Sequence, residues 1–325
     1  MRPLSGPTDS LHDVPGIRVG GVTIGRATGV TAVVAASGAL ASVDVRGAAP
    51  GTRETDALSP LASGEALHAV LLVGRSVFGL AAADGATTEL ERRSIGLALG
   101  PVTIPIVAAA VIFDFATGDP TSRPTAADGA TAVARAIDGP TGRPARGRTA
   151  VGAGARVGGL VGRARPGGLG HASLTATGLD GDLVVGALVV VNSAGSPYAP
   201  GDARVAIAGG FDEPALLPDF TPITSARGHT TLAVVATNAR LTKAQLGQVA
   251  TMSHDGLARA IRPLHTGVDG DVAFALTTAD RGEVVGVTAH GWAPAAVSIV
   301  GSLAADAATR AVLDALPGPR PSRSG

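Results

Sequence analysis

The segments Thr103–Phe115, Leu183–Val191, Thr231–Thr237, Val272–Thr278 and Glu283–Thr288 are apolar throughout or nearly so. A strand with one face in water alternates apolar and polar side chains, so an unbroken apolar run fits a strand covered on both faces. Stretches of helical periodicity lie among them. Ser59–Val73 opens Ser-Pro, an N-cap followed by a first-turn proline, and continues with leucines and valines at helical spacing. Val77–Arg93, Pro124–Ile137, Thr242–Ile261 and Pro294–Leu316 read as further helices, and Thr242 caps a stretch that gathers Leu246, Val249 and Leu257 on one side. This alternation sets the class, α/β, and nothing finer.

A chain of 325 residues, 45% of them hydrophobic, can bury a large core as one big α/β domain or two small ones. Its 26 basic residues balance its 26 acidic ones without a basic block, so neither nucleic acid nor an anionic membrane is an implied partner. A peptide or small-molecule partner is the default. The absence of cysteine removes disulfides, thiolate catalysis and thiolate metal sites. The first residues hold Pro3, Pro7 and Pro15 and no apolar core of signal length, and the longest apolar stretches fall short of the roughly 20 residues that span a bilayer. The reading is a cytoplasmic protein with no membrane segment. Asp138–Arg148, Ser193–Ala203 and the proline-broken Phe211–His229 are loop-like, and a tail from Pro317 reads as disordered.

Several tempting motifs lack their context. Gly152–Gly158 is glycine-rich, but no convincing strand ends before it and no clear helix starts after it, as a dinucleotide loop requires. The histidines show no metal-site spacing, and Asp269-Gly-Asp271 lacks the remaining ligands of a calcium loop. No Gly-x-Ser-x-Gly elbow occurs. The reading therefore includes no metal and no cofactor.

What remains is Gly228-His-Thr-Thr-Leu-Ala-Val-Val-Ala-Thr-Asn238, followed one helix later by His265-Thr-Gly-Val-Asp-Gly-Asp271. With Pro15–Gly20, Pro50–Asp56, Ser76–Gly85, Ile112-Phe-Asp114, Val151–Gly154, Gly167–Gly170 and Val191-Asn192, in this order, these segments resemble the L-aminopeptidase/D-esterase family. That family includes β-peptidyl aminopeptidases and nylon-oligomer hydrolases. The resemblance covers nearly the whole chain. It implies a four-layer αββα sandwich like that of N-terminal-nucleophile hydrolases. It also implies one internal cut, between His229 and Thr230, giving an α chain 1–229 and a β chain 230–325 that stay associated and assemble into a homo-oligomer.

The chemistry explains the residue type. Thr230 carries a hydroxyl that can attack the His229 carbonyl. Once freed, its α-amino group, with an ordinary pKa of roughly 7.7–8.0, can serve as base for that same hydroxyl. The implied activity is hydrolysis of amides or esters through an acyl-enzyme on Thr230, as an aminopeptidase. A hydrolase of ω-amino-acid oligomers and a non-catalytic binding protein on the same scaffold are the alternatives. Thr230 and Thr231 could also merely open a strand, since threonine favours strands.

By resemblance, Asp269 and Asp271, two apart at a strand entry and so able to share a face, orient the nucleophile, and Asn192 donates to the oxyanion. The plain alternatives are an Asp-Gly-Asp turn and an Asx-turn. Phe113 stands where nylon hydrolases have Tyr, and Arg163 is the nearest basic residue to their Lys, so both are read as substrate-pocket residues. His229 stands where Asn or Gly precedes the cut in relatives.

Overall fold

The computed structural model describes residues 3–64, 66–161, 164–179, 181–198, 228–279 and 293–317. Its main strands are β1 (Ile17–Ile24), β2 (Thr28–Val45), β3 (Leu67–Val73), β4 (Val107–Val111), β5 (Gly168–Leu179), β6 (Gly181–Asn192), β7 (Thr230–Thr237) and β8 (Val272–Thr277). The helices are α1 (Ala82–Arg92), α2 (Ala126–Asp138), α3 (Lys243–Ala258) and α4 (Ala293–Asp314). The strands run in the order β5-β6-β7-β8-β2-β3-β4, with β1 also on β2. The β7–β8 and β3–β4 pairs are parallel, and the other pairs along this path are antiparallel.

The long strand β2 turns this path into two layers. Its end, Leu40–Val45, pairs with β8, while its first half pairs with β1 and β3. The β2–β3 register shifts between Val34 and Ala39, where Gly38 takes φ +81°. That left-handed conformation suits glycine and lets the strand leave one sheet for the other.

Apolar packing follows the alternation of side chains along each strand. Leu232, Val234 and Ala236 of β7 face Val33, Val70 and Leu72 in a core between the two sheets. Ala233 and Val235 point the other way, into a core closed by α3 and α4. Ala69, Leu71 and Val73 of β3 meet α1 and α2 on the opposite outside face. The result is helix, sheet, sheet, helix, the four-layer αββα sandwich. The α4 segment Ala295–Asp314 is apolar enough to cross a bilayer by composition, yet 67% of its most apolar window is buried in this packing.

Four of the five sequence-predicted helices are present, and Thr242 caps α3 as read, its hydroxyl accepting from Gln245 N–H. The exception is Ser59–Val73, which contains no helix: Ser59 Oγ accepts from Leu61 N–H in a turn, and Leu67–Val73 is strand β3, buried along its whole length. A short apolar run covered on both faces satisfies helical spacing by accident, because all but one of its positions, His68, are apolar. Thr103–Phe115 is not one strand either. Val102–Ile104 pairs in a separate hairpin, Pro105 interrupts, and β4 stops at Val111. The predicted strand Glu283–Thr288, most of the irregular stretch before His229, and the tail beyond Pro317 lie outside the described residues.

Candidate active site

Strand registers assemble the site. Antiparallel β6 and β7 place Asn192, the last residue of one, opposite Thr230, the first of the other. Parallel β8 starts at the same end, and His229 forms an isolated bridge with Asp269. Asn192, His229, Thr230, Asp269 and Asp271 are all buried. Fully covered strands run here straight into polar side chains, so each of these groups needs a partner.

The carbonyl of the His229–Thr230 peptide is the hub of the site. Thr230 Oγ1 donates to the His229 carbonyl oxygen at 2.5 Å, and the Gly270 N–H donates to the same oxygen at 2.9 Å. His229 N–H donates to the Val268 carbonyl at 3.2 Å. The peptide bond is thereby held between β8's entry loop and the hydroxyl next to it. An N–H aimed at a carbonyl oxygen favours negative charge there.

Asp269 and Asp271 flank that Gly270. Asp269 Oδ1 accepts from Ala194 N–H at 3.0 Å, and Oδ2 from Thr266 N–H at 3.1 Å and Thr266 Oγ1 at 2.5 Å. Asp271 Oδ1 accepts from Thr231 N–H at 2.5 Å, and Oδ2 from His265 N–H at 3.0 Å and His265 Nδ1 at 2.7 Å. Asp271 thus bonds to the residue after Thr230, while Asp269 bonds to Ala194 and Thr266, and together they lace the ends of β6 and β7 to the start of β8. Burial, and then the neighbouring Asp271 charge, push the Asp269 carboxyl above its ordinary value.

Asn192 is likewise anchored at both ends of its amide: Oδ1 accepts from Arg156 N–H at 2.9 Å, and Nδ2 donates to the Phe113 carbonyl at 3.2 Å. One Nδ2 proton remains for a second acceptor. Phe113 follows β4, is 38% exposed, and packs edge-on against Phe115 with ring centroids 4.9 Å apart. Its ring also lies on Gly228, where a Cβ would stand 2.0 Å from the ring and φ is +81°. Arg163 lies outside the described residues.

Sequence reasoning missed three contributors. His265 and Gly270 sat inside the quoted segment, but the first had no metal-like spacing and the second read as a turn glycine. The third is the fully buried Arg75, whose guanidinium donates to the carbonyls of Asp114, Thr117, Asp119 and Ser122 while its N–H reaches Asp114 Oδ1. It fixes the loop that carries Phe113 and Phe115. Burial raises the Asp114 carboxyl despite the guanidinium beside it. Among the described residues no group of three or more His, Asp or Glu is arranged to hold a metal ion.

The chain and its fold have known relatives. An uncharacterized aminopeptidase of Mycobacterium leprae is 40% identical over 342 aligned positions, covering 96% of this chain and 91% of its own. A 6-aminohexanoate-oligomer endohydrolase of Paenarthrobacter ureafaciens is 30% identical over 287, covering 82% and 74%. Among solved structures, a Burkholderia sp. beta-aminopeptidase superposes with TM-score 0.71 at 23% identity, covering 97% of this chain and 88% of its own. The L-aminopeptidase D-ala-esterase/amidase of Ochrobactrum anthropi, described as a variant of the Ntn hydrolase fold, gives 0.70 at 20% identity, covering 97% and 87%. The sequence model of peptidase family S58 matches residues 9–321, and this chain is a member of that family.

Proposed function

We propose that the chain cuts itself between His229 and Thr230 and that the freed Thr230 is the nucleophile of an aminopeptidase or related amidase. The observation that carries this reading is the buried Thr230 hydroxyl, 2.5 Å from the oxygen of the carbonyl it would attack, with the Gly270 N–H on that same oxygen. Oγ1 adds to the His229 carbonyl carbon, and the developing oxyanion is met by Gly270. The C–N bond then breaks, and the hydroxyl proton ends on the Thr230 nitrogen. Water hydrolyses the resulting ester, leaving His229 with a carboxyl group and Thr230 with a free amine and hydroxyl.

In each later turnover the α-amino group takes the hydroxyl proton, Oγ1 forms an acyl-enzyme, the leaving amine departs protonated, and water releases the acid. Asp269 and Asp271 hold the strand ends that carry the nucleophile, and the free Nδ2 proton of Asn192 is available to the oxyanion. Phe113 borders the substrate site, and Arg163 is its proposed cation. The α and β fragments stay together because β6, from one, and β7, from the other, are hydrogen-bonded along their length. We read the assembly as a homo-oligomer of such units.

The endohydrolase relative supports a second reading, hydrolysis of ω-amino-acid oligomers. Assays of the parent chain and Thr230→Ala on aminoacyl 4-nitroanilides and on a 6-aminohexanoate oligomer separate the readings. Turnover of the former by the parent alone is expected. Turnover of only the oligomer favours the second reading, and turnover of neither leaves a binding protein.

A further inference from the structure

The uncut chain shows what its own scissile residue puts beside the reacting carbonyl. The His229 side chain is buried and lies against Gly159: a Cβ on that glycine would stand 2.5 Å from His229 Nε2 and 2.6 Å from Cε1. Gly159 is not in a left-handed conformation, so the backbone does not demand glycine there; the room for the ring does. The wall is rigidly hung, with Gly158 N–H donating to the carbonyls of Ser193 and Gly195 and Leu160 N–H to that of Ala194, directly after Asn192.

Neither ring nitrogen makes a hydrogen bond of ordinary geometry to the described residues, and the nearest polar influence on the ring is the Asn192 backbone. The ring is therefore held mainly by shape, and a phenyl ring would give up only that backbone contact in the same seat. Burial, helped by Arg156, outweighs the Asn192 backbone contact and holds the imidazole below its ordinary value, so the seat favours a neutral ring over a cation. On the N-terminal side of His229, Phe113 leaves no room for a side chain on residue 228. A substrate whose acyl residue is preceded only by an amino group suits that closure.

We infer that the seat filled by His229 before cleavage is the acyl side-chain pocket of the mature enzyme, and that its substrates are amides of N-terminal residues with a flat, uncharged ring. This rests on Thr230 being the nucleophile. The same hydroxyl and the same Gly270 N–H then serve both reactions, so a substrate carbonyl takes the place of the His229 carbonyl and its side chain takes the place of the ring.

The test compares kcat/KM of the processed protein on 4-nitroanilides of Phe, His, Gly and Lys, and follows self-cleavage of Gly159→Ala alone and combined with His229→Ala. Expected are Phe and His above Gly by about tenfold or more and Lys lowest, from the burial of a ring-sized apolar surface. Gly159→Ala should cut itself more slowly than the parent, and the second substitution should restore the rate by clearing the ring. A parent that hydrolyses the Gly substrate as well as the Phe one, or a double variant no faster than Gly159→Ala, overturns the pocket assignment. If Gly159→Ala does not fold, the parent's ranking decides alone. A parent that hydrolyses none of the four overturns the aminopeptidase reading itself, and this inference with it.

Discussion

The Gly270 N–H points at the carbonyl oxygen of His229 across 2.9 Å, on the one peptide bond whose carbonyl also receives the Thr230 hydroxyl. A Cβ on Gly270 would lie 2.5 Å from the Ala49 carbonyl oxygen and 3.0 Å from Thr230 Oγ1. Gly270→Ala must therefore displace the amide or the Thr230 side chain. Loss of an oxyanion donor costs about 10²–10³-fold. Fragment formation in this variant should slow by about that factor, measured by denaturing electrophoresis of timed samples, while circular dichroism reports whether the fold persists. Parental kinetics in a folded variant would remove Gly270 from the mechanism.

Asp271 joins Thr231 N–H to His265 and has no exposed surface. Asp271→Asn keeps the volume but cannot accept at both ends with the same geometry, and an unsatisfied buried group costs about 1–3 kcal/mol. Self-cleavage should slow by about 10–100-fold, since each 1.4 kcal/mol is tenfold. His265 has φ +56°, which asparagine tolerates better than most residues. His265→Asn should therefore retain more activity than His265→Ala. Equal losses in the two variants would show that the left-handed backbone at residue 265 does not set the loss.

His171 is fully buried, and desolvation lowers its pKa from 6.5 to about 4. The unfolded chain takes up the proton at the ordinary value, whereas the folded chain resists it. The corresponding stability is complete above pH 6.5 and is lost as pH falls through 4, by at most roughly 3 kcal/mol. In the uncut Thr230→Ala background, thermal unfolding between pH 7 and 4 should fall more steeply for His171 than for His171→Met. Parallel curves would show that this histidine is not held neutral.

Gly256 of α3 sits where a Cβ would be 2.1 Å from the Ala305 carbonyl oxygen of α4. Gly256→Ala should push the helices apart and lower stability by about 1–3 kcal/mol, despite alanine's better helix propensity. Chemical denaturation of the uncut chain checks this. A stabilised variant would mean that the α3–α4 contact yields freely.

The strands that carry the site were legible, because β6, β7 and β8 are covered on both faces and their apolar runs end at Asn192, Thr230 and Asp271. The strands β1 and β5 were not, and glycine is the reason. A Cβ on Gly20 would meet Ala136 N of α2 at 2.2 Å, and one on Gly170 would meet the Ala311 carbonyl of α4 at 2.1 Å. Close helix-on-sheet packing puts glycine inside strands, where pattern reading takes it for a loop. Thr230, Asp269 and Asp271 are singled out by an ordered set of motifs, and the structure brings them together at one end of the sheet. Gly159, Arg75 and the hydrogen-bonding role of His265 depend on proximity between distant segments, which one sequence does not display.

Mass spectrometry of the purified, denatured protein reads the cut itself. Two fragments are expected, residues 1–229 and 230–325, with Thr at the new N-terminus, and an uncut chain in Thr230→Ala. A single intact species of 31.7 kDa after prolonged incubation of the parent would contradict self-cleavage.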